Sequence, residues 1–146
     1  MPPFLLDTNI LVYAFDLRDP GRQRLAQSLI QRVESEGAGR LSVQCLSEFF
    51  RATTQKMHLP ASEMYIQVER WRDAFPVFNL TPQIVLEAAR GVRDHGMAYY
   101  DAQIWAAARL NQIPIVLSED FQDGQDLEGV RFLNPFSRTF DLENWL

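Results

Sequence analysis

Four carboxylates stand beside short apolar runs or at helix starts, far apart along the chain: Asp7, Glu48, Asp101 and Asp120. A carboxylate at the margin of a core needs a partner, because a buried unpaired charge is costly. The carboxyl ends of the parallel strands in an open α/β sheet line one crevice, where ligands bind. Four acids brought to that crevice would repel one another without a divalent cation among them. Oxygen ligands suit Mg²⁺ or Mn²⁺, so the pattern predicts a metal-dependent site.

The bulk composition predicts a single domain over residues 1–146. The chain is 47% hydrophobic and has no low-complexity tract. No apolar run approaches the roughly 18 residues of a membrane span, and Asp7 interrupts the apolar start, which argues against a signal peptide. One cysteine, Cys45, allows no intrachain disulfide, and His58 and His95 lie in unrelated contexts, which argues against structural zinc. We therefore expect a cytoplasmic protein that does not enter a membrane.

The net charge of −5 does not decide whether the partner is a nucleic acid. Phosphate-binding proteins are usually basic, but the four acids account for most of this negative charge. Two bound divalent cations would bring the molecule close to neutrality. The rest of the surface is therefore not strongly acidic.

Short apolar runs alternate with segments of helical periodicity. Strands are expected at 3–6, 41–43, 77–80, 113–117 and 130–133, and helices at 10–15, 20–36, 44–57, 62–73, 82–94 and 99–111. Such alternation predicts βαβ units and a parallel sheet covered by helices on both faces. Residues 137–146 are expected to form a C-terminal tail that docks through Phe140, Leu142 and Trp145.

Each acid taken alone has an ordinary structural explanation. Asp7 precedes a helix and could be only an N-cap, while Glu48 could be an exposed helical residue. Asp101 is favoured near a helix start by the helix dipole, and Asp120 could be a turn residue. The combination is far more specific than any one of them.

The acids lie in four short motifs: Leu6-Asp7-Thr8-Asn9, Ser47-Glu48, Asp101-Ala102-Gln103-Ile104-Trp105-Ala106-Ala107-Ala108 and Ser118-Glu119-Asp120. Together these motifs resemble those of the PIN-domain family, and more narrowly those of the VapC-type toxin ribonucleases. The motif Ser118-Glu119-Asp120, followed shortly by Gly, and a closing Asn134-Pro135-Phe136 resemble one subgroup of these toxins. The resemblance covers residues 4–136.

The resemblance implies an α/β/α sandwich on a central parallel sheet of about five strands. It also implies hydrolysis of RNA phosphodiester bonds with Mg²⁺ or Mn²⁺. Asp7, Glu48, Asp101 and Asp120 match the catalytic metal ligands by position. Asn9 and Ser118 match the small polar residues that support them, and Glu119 or Asp123 could share the role of Asp120.

The resemblance further implies the toxin of a toxin–antitoxin pair, acting as a homodimer. The antitoxin tail would lay apolar residues against the helix pair 44–75 and place an Arg among the acids. Tyr65, Trp71 and Phe75 could belong to that surface or pack the helix onto its neighbour. Tyr99 and Tyr100 could stack on a base or pack in the core.

Other classes fit the residues less well. A phosphatase of the haloacid dehalogenase type would need Asp where Asn9 stands, and a receiver domain would need a Lys after a late strand, whereas the only Lys is Lys56. A PIN fold that has lost activity and binds nucleic acid or protein remains the alternative. The sequence does not specify which RNA is cut, nor whether one metal ion or two are bound.

Overall fold

A computed structural model describes residues 2–145, which form a six-stranded sheet with helices on both faces. Its strand order is β3-β2-β1-β4-β6-β5, with β5 antiparallel to β6 and every other pair parallel. This confirms the α/β/α arrangement. The strands are β1 (Phe4–Leu6), β2 (Gly39–Ser42), β3 (Val77–Phe78), β4 (Ile115–Leu117), β5 (Asp126–Leu127) and β6 (Val130–Leu133).

The extra strand β5 was not predicted. It forms a tight hairpin with β6 through Glu128 and Gly129, whose φ angles are 52° and 89°. Two consecutive positive φ angles suit a two-residue hairpin turn, which usually carries Asn-Gly or Asp-Gly. Glu in the first position and a strand of only two residues left no recognisable pattern in the sequence.

Within the described part of the chain, seven helical segments connect and cover the strands. They are α1 (Thr8–Tyr13), α2 (Pro20–Ser35), α3 (Val43–Arg51), a π-helical turn (Ala52–Lys56), α4 (Ala61–Ala74), α5 (Pro82–His95) and α6 (Tyr99–Leu110), and a 3₁₀ turn (Leu142–Asn144) lies near the C-terminus. Most bounds lie within two residues of the predicted ones. α1, expected over 10–15, begins at Thr8 because Asp7 caps it.

The predicted helix 44–57 is in fact two segments. After α3 the backbone widens into the π-helical turn, where the Met57 amide donates to the Ala52 carbonyl at 3.1 Å. The hydroxyls of Thr53 and Thr54 donate to carbonyls four residues back, at 2.8 and 2.6 Å, and such bonds commonly bend helices. His58, with φ 58°, follows the turn.

The central strands β1 and β4 place the site. All their residues are buried, as expected for a parallel strand covered on both faces. Leu6 pairs with Leu117, and the Asp7 amide donates to the Leu117 carbonyl at 3.0 Å. The residues that follow, Asp7 and Ser118, therefore lie side by side at the carboxyl edge.

The core accounts for several residues whose role was open. Trp71 and Phe75 are buried, and Trp71 packs edge-on against Phe49 with ring centroids 4.7 Å apart. Tyr65, in contrast, is exposed. Cys45 is fully buried, and burial raises the pKa of its thiol to about 12. The helix α4 is thus packed onto the core through Trp71, and its Tyr65 side chain lies on the surface.

The C-terminal tail docks as predicted. The side chains of Phe140, Leu142 and Trp145 are partly buried against the core, and Arg131 lies over the Trp145 ring at 5.9 Å. Leu146, the last residue of the predicted tail, is outside the described residues. None of the helices within 2–145 has the length and apolar character needed to cross a membrane.

Candidate functional site

Asp7 is the buried centre of the site at the carboxyl edge. Its carboxylate accepts hydrogen bonds from the Thr8 amide and the Ser118 hydroxyl, both at 2.7 Å. Only 5% of the residue is exposed. Burial raises the pKa of Asp7 to about 7; the two hydrogen bonds oppose this rise, and the charges of Asp120 and Glu48 add to it. Asp7 is therefore a helix cap and also a strongly perturbed acid.

Ser118 and Asn9 connect Asp7 to the last motif. The Ser118 hydroxyl accepts from the Asn9 amide group at 3.1 Å and from the Asp120 backbone amide at 3.1 Å. The Asn9 amide group also donates to the Asp120 carboxylate at 3.0 Å. These bonds connect the side chains of Asp7 and Asp120 through Ser118 and Asn9.

Glu48 reaches the site from α3, where it is half-buried. Its two oxygens accept from the Thr8 hydroxyl at 3.2 Å and from the Gln44 amide group at 2.7 Å. Gln44 is itself held by the Gln103 amide group at 2.8 Å, and it also donates to the Tyr100 carbonyl at 3.1 Å. Hydrogen bonds from α1 and α3 thus meet at the Glu48 carboxylate, and α6 holds the Gln44 side chain in place.

Asp101 is the acid without a stabilising partner. It lies in the first turn of α6 and is half-buried. Within residues 2–145 its carboxylate accepts no hydrogen bond and forms no ion pair. Burial raises the pKa of Asp101, and the charges of Asp120 and Glu48 raise it further. A half-buried carboxylate that faces two other acids is a natural ligand for a cation.

The donor chemistry fits a hard divalent cation, since all four acids and their supports are oxygen donors. Within residues 2–145, however, no group of three or more His, Cys, Asp or Glu side chains is close enough to hold a metal ion.

The two alternative acids of the last motif point elsewhere. Glu119 accepts from the Tyr13 hydroxyl and from Arg22, the latter at 3.2 Å. Asp123 accepts from the Asn134 backbone amide at 2.9 Å and so stabilises a turn. Only Asp120 of this group contributes its charge to the pKa of both Asp7 and Asp101.

An open cleft of about 710 Å³ extends from these acids. One part of its lining carries negative charge, through Glu48 and Asp120, and another carries positive charge. The positive side chains are Arg18, Arg51 and Lys56. The cleft therefore places carboxylates, whose oxygens suit a divalent cation, beside cationic side chains, which suit a phosphate group.

Sequence reasoning missed Thr8, Gln44 and Gln103. Thr8 stands inside the first motif, and Gln44 precedes Glu48 by one helical turn, so their spacing could have identified both. Gln103 bonds to Gln44 across 59 residues. No local pattern could have found that contact.

The fold is a mostly parallel α/β sheet, with Asp7 at the carboxyl edge of its central strands and the charges of Glu48 and Asp120 close to it. A sequence profile of the PIN domain matches residues 4–122, so the chain belongs to the PIN-domain family. A search of curated proteins finds no match.

Solved structures with this fold include several toxins. A toxin–antitoxin complex from Klebsiella pneumoniae is 21% identical with a TM-score of 0.62, and covers 90% of this chain and 97% of its own. DNA-bound VapBC from Salmonella typhimurium is 18% identical with a TM-score of 0.66 and the same coverages. A sarcin-ricin loop cleaving VapC toxin of Mycobacterium tuberculosis is 15% identical with a TM-score of 0.62, covering 80% and 91%. The fold of these structures is therefore shared over 80–90% of this chain.

Proposed function

We propose that this protein is a Mg²⁺- or Mn²⁺-dependent endoribonuclease and the toxin of a toxin–antitoxin pair. The observation that carries the proposal is Asp101, a half-buried carboxylate that has no hydrogen-bond donor within residues 2–145 and lies close enough to Glu48 and Asp120 for their charges to raise its pKa. Glu48 and Asp120 line an open cleft. A sarcin-ricin loop cleaving toxin has the same fold, which supports RNA as the substrate class.

The residues of the site would have two roles, to bind the cation and to orient the carboxylates that bind it. Asp7, Glu48, Asp101 and Asp120 would hold the cation, which when bound lowers the pKa of a coordinated water and polarises a phosphoryl oxygen. Ser118 and Thr8 orient the Asp7 carboxylate through bonds of 2.7 Å. Because these bonds favour the ionised form, they keep Asp7 available as a ligand despite its burial.

Cleavage of a hairpin RNA with a single-stranded loop tests this proposal. The wild-type protein should cut the loop with Mg²⁺ or Mn²⁺ and stop when EDTA is added. Asp101→Asn should lose at least 100-fold in rate, because a ligand charge is removed without changing the shape. Asp123→Asn is the matched control, since an Asn side-chain oxygen can still accept from the Asn134 amide.

RNA binding without cleavage, at any concentration of Mg²⁺ or Mn²⁺, would instead favour an inactive PIN fold that acts as a binding module. Cleavage that persists in EDTA, and equally in Asp101→Asn, would refute the metal chemistry. Neither result would change the assignment to the PIN-domain family.

An apolar groove between α3 and α4 supports an antitoxin partner. It has a volume of about 740 Å³, and Leu46, Phe50, Tyr65 and Val68 contribute to its lining. Ser47 lines both this groove and the acid cleft. An apolar segment in the groove would therefore continue into the cleft, where an Arg side chain would meet the acids.

The groove is tested with the product of any short reading frame directly upstream of the gene. We expect that product to bind the protein and to inhibit cleavage. Val68→Asp should weaken the complex by placing a charge in the groove, whereas Glu63→Gln, exposed on the same helix, should not. Equal affinity of the two variants would contradict the proposed groove.

We also propose a homodimer. The helix α5 and the residues before it expose four apolar side chains, those of Leu80, Val85, Leu86 and Val92. Large exposed apolar patches often mark a surface that binds another protein molecule. Light scattering should give twice the chain mass at micromolar concentration. Leu86→Glu should give the monomer, and a wild-type monomer would count against the dimer.

A further inference from the structure

The positive side of the acid cleft contains two cations with no anionic partner. Arg51 and Lys56 line the cleft and are exposed. Within residues 2–145 neither forms an ion pair or a side-chain hydrogen bond. Arg18, which also lines the cleft, donates to both oxygens of Asp16 at 2.9 and 3.1 Å. Its charge is largely compensated, so the free positive charge of this wall is that of Arg51 and Lys56.

Arg51 is free because its expected partner is held elsewhere. Glu48 precedes it by three residues in α3, a spacing at which Glu and Arg commonly pair. The oxygens of Glu48 are instead bound by Thr8 at 3.2 Å and by Gln44 at 2.7 Å. The arrangement keeps a carboxylate facing the acids and leaves a guanidinium one helical turn away without a counter-charge.

Lys56 faces the same cleft because of the π-helical turn. In a regular α-helix, residues five apart project about 140° away from each other. The bond from the Met57 amide to the Ala52 carbonyl spans five residues and widens the turn, which brings Lys56 back to the side of Arg51. π-helical turns are frequent at functional sites.

Tyr100 lines the cleft from the first turn of α6, next to Asp101, and the residue is 67% exposed. An exposed aromatic ring in a nucleic-acid channel offers a face on which an unpaired base can stack. Its backbone carbonyl accepts from Gln44 at 3.1 Å, which fixes the start of α6. Its partner Tyr99 packs edge-on with centroids 5.4 Å apart and supports the ring.

We propose that Arg51 and Lys56 bind the phosphates next to the scissile bond, and that Tyr100 stacks an unpaired base beside the acids. The inference rests on the proposed ribonuclease function and specifies its substrate as a single-stranded segment. A duplex would keep its bases stacked on one another and offer none to Tyr100. Each cation would contact a different phosphate, because the two lie more than one helical turn apart.

The test compares Arg51→Gln and Lys56→Gln with Arg24→Gln, which removes an exposed charge of α2 outside the cleft. Cleavage of the hairpin RNA is measured between 50 and 300 mM salt. Each cleft variant should raise KM on the order of fivefold with a smaller change in kcat. Each should also reduce the slope of log(kcat/KM) against log salt by about 0.7, the value for one phosphate contact on a single strand.

Tyr100 is tested by two substitutions. Tyr100→Leu should raise KM for the loop substrate on the order of tenfold. Tyr100→Phe should restore KM to the wild-type value, because Phe keeps the aromatic face on which the base stacks. A fully paired duplex of the same sequence should be cut poorly by all variants. Circular dichroism should show the same melting temperature for all of them, within about 2 °C.

The outcomes separate this inference from the function on which it rests. If the wild type cleaves RNA but Arg51→Gln and Lys56→Gln match Arg24→Gln in KM and salt slope, the phosphate contacts are refuted. If Tyr100→Phe fails to restore KM, stacking is refuted. If the wild type cleaves no RNA, the ribonuclease proposal fails, and fluorescence anisotropy of RNA binding by the same variants then decides the cleft contacts.

Discussion

Replacing Asp7 with Asn should change the stability of the protein with a sign that depends on pH. The pKa of Asp7 is about 7 in the folded protein, against a usual value of 3.8. Between these values the unfolded chain gives up the proton first, so the stability of the wild type falls as pH rises. The loss is complete above pH 7, where the folded protein also ionises.

The magnitude follows from that pKa difference. From pH 5 to pH 8 the wild type loses about 3 kcal/mol of unfolding free energy through Asp7 alone. Asn carries no charge and loses nothing over this range. The difference in stability between the variant and the wild type should therefore rise by about 3 kcal/mol across these three pH units.

Asn does not fit the site without a cost. The Asp7 carboxylate accepts from the Thr8 amide on one oxygen and from the Ser118 hydroxyl on the other. The Ser118 oxygen already accepts from Asn9 and from the Asp120 amide, so an Asn amide group would meet a donor whichever way it turned. One mispaired donor costs about 1–3 kcal/mol at every pH.

By pH 5 the wild type has already lost about 2 kcal/mol through Asp7, which offsets the cost of the mispaired donor. The two proteins should therefore be about equally stable at pH 5, and Asp7→Asn should be about 3 kcal/mol more stable at pH 8. For a domain of this size that corresponds to a melting temperature on the order of 10 °C higher. Urea unfolding in EDTA at pH 5, 6, 7 and 8 measures the difference. A constant difference across the four pH values would refute the raised pKa and make Asp7 a simple helix cap.

Two further predictions concern packing and the support of Glu48. Gly39→Ala should destabilise the protein by about 1–3 kcal/mol, because a Cβ atom at this position would lie 2.4 Å from the Phe75 ring. Gly21→Ala is the control and should be neutral, because the nearest atom to its Cβ would be 3.8 Å away. Equal melting temperatures of the two variants would contradict the close packing at Gly39. Thr8→Val should leave the metal-free melting temperature within about 2 °C but reduce the stabilisation by Mn²⁺, because Glu48 loses its 3.2 Å hydrogen bond. An unchanged Mn²⁺ shift would show that Thr8 does not position Glu48 for metal binding.

Sequence patterns alone predicted most of the sheet, most helices and the four candidate acids. Buried parallel strands are continuous apolar runs, and the acids follow such runs or start helices, so both leave local patterns that survive without coordinates. Asp7 follows β1 and Ser118 follows β4, and the adjacency of two parallel strands places them together. The family profile then confirmed the fold that these patterns predicted.

Tertiary structure alone decided how the site is supported and where its charges remain free. The bond from Gln103 to Gln44 joins α6 to α3, and the π-helical turn brings Lys56 to the side of Arg51. Neither feature leaves a periodic pattern or a motif in the sequence. The hydrogen bond depends on how two helices pack, and the position of Lys56 depends on a local change of helix geometry. The acids could be found in the sequence because their chemistry is local, whereas their pKa values and partners arise only from burial and contact.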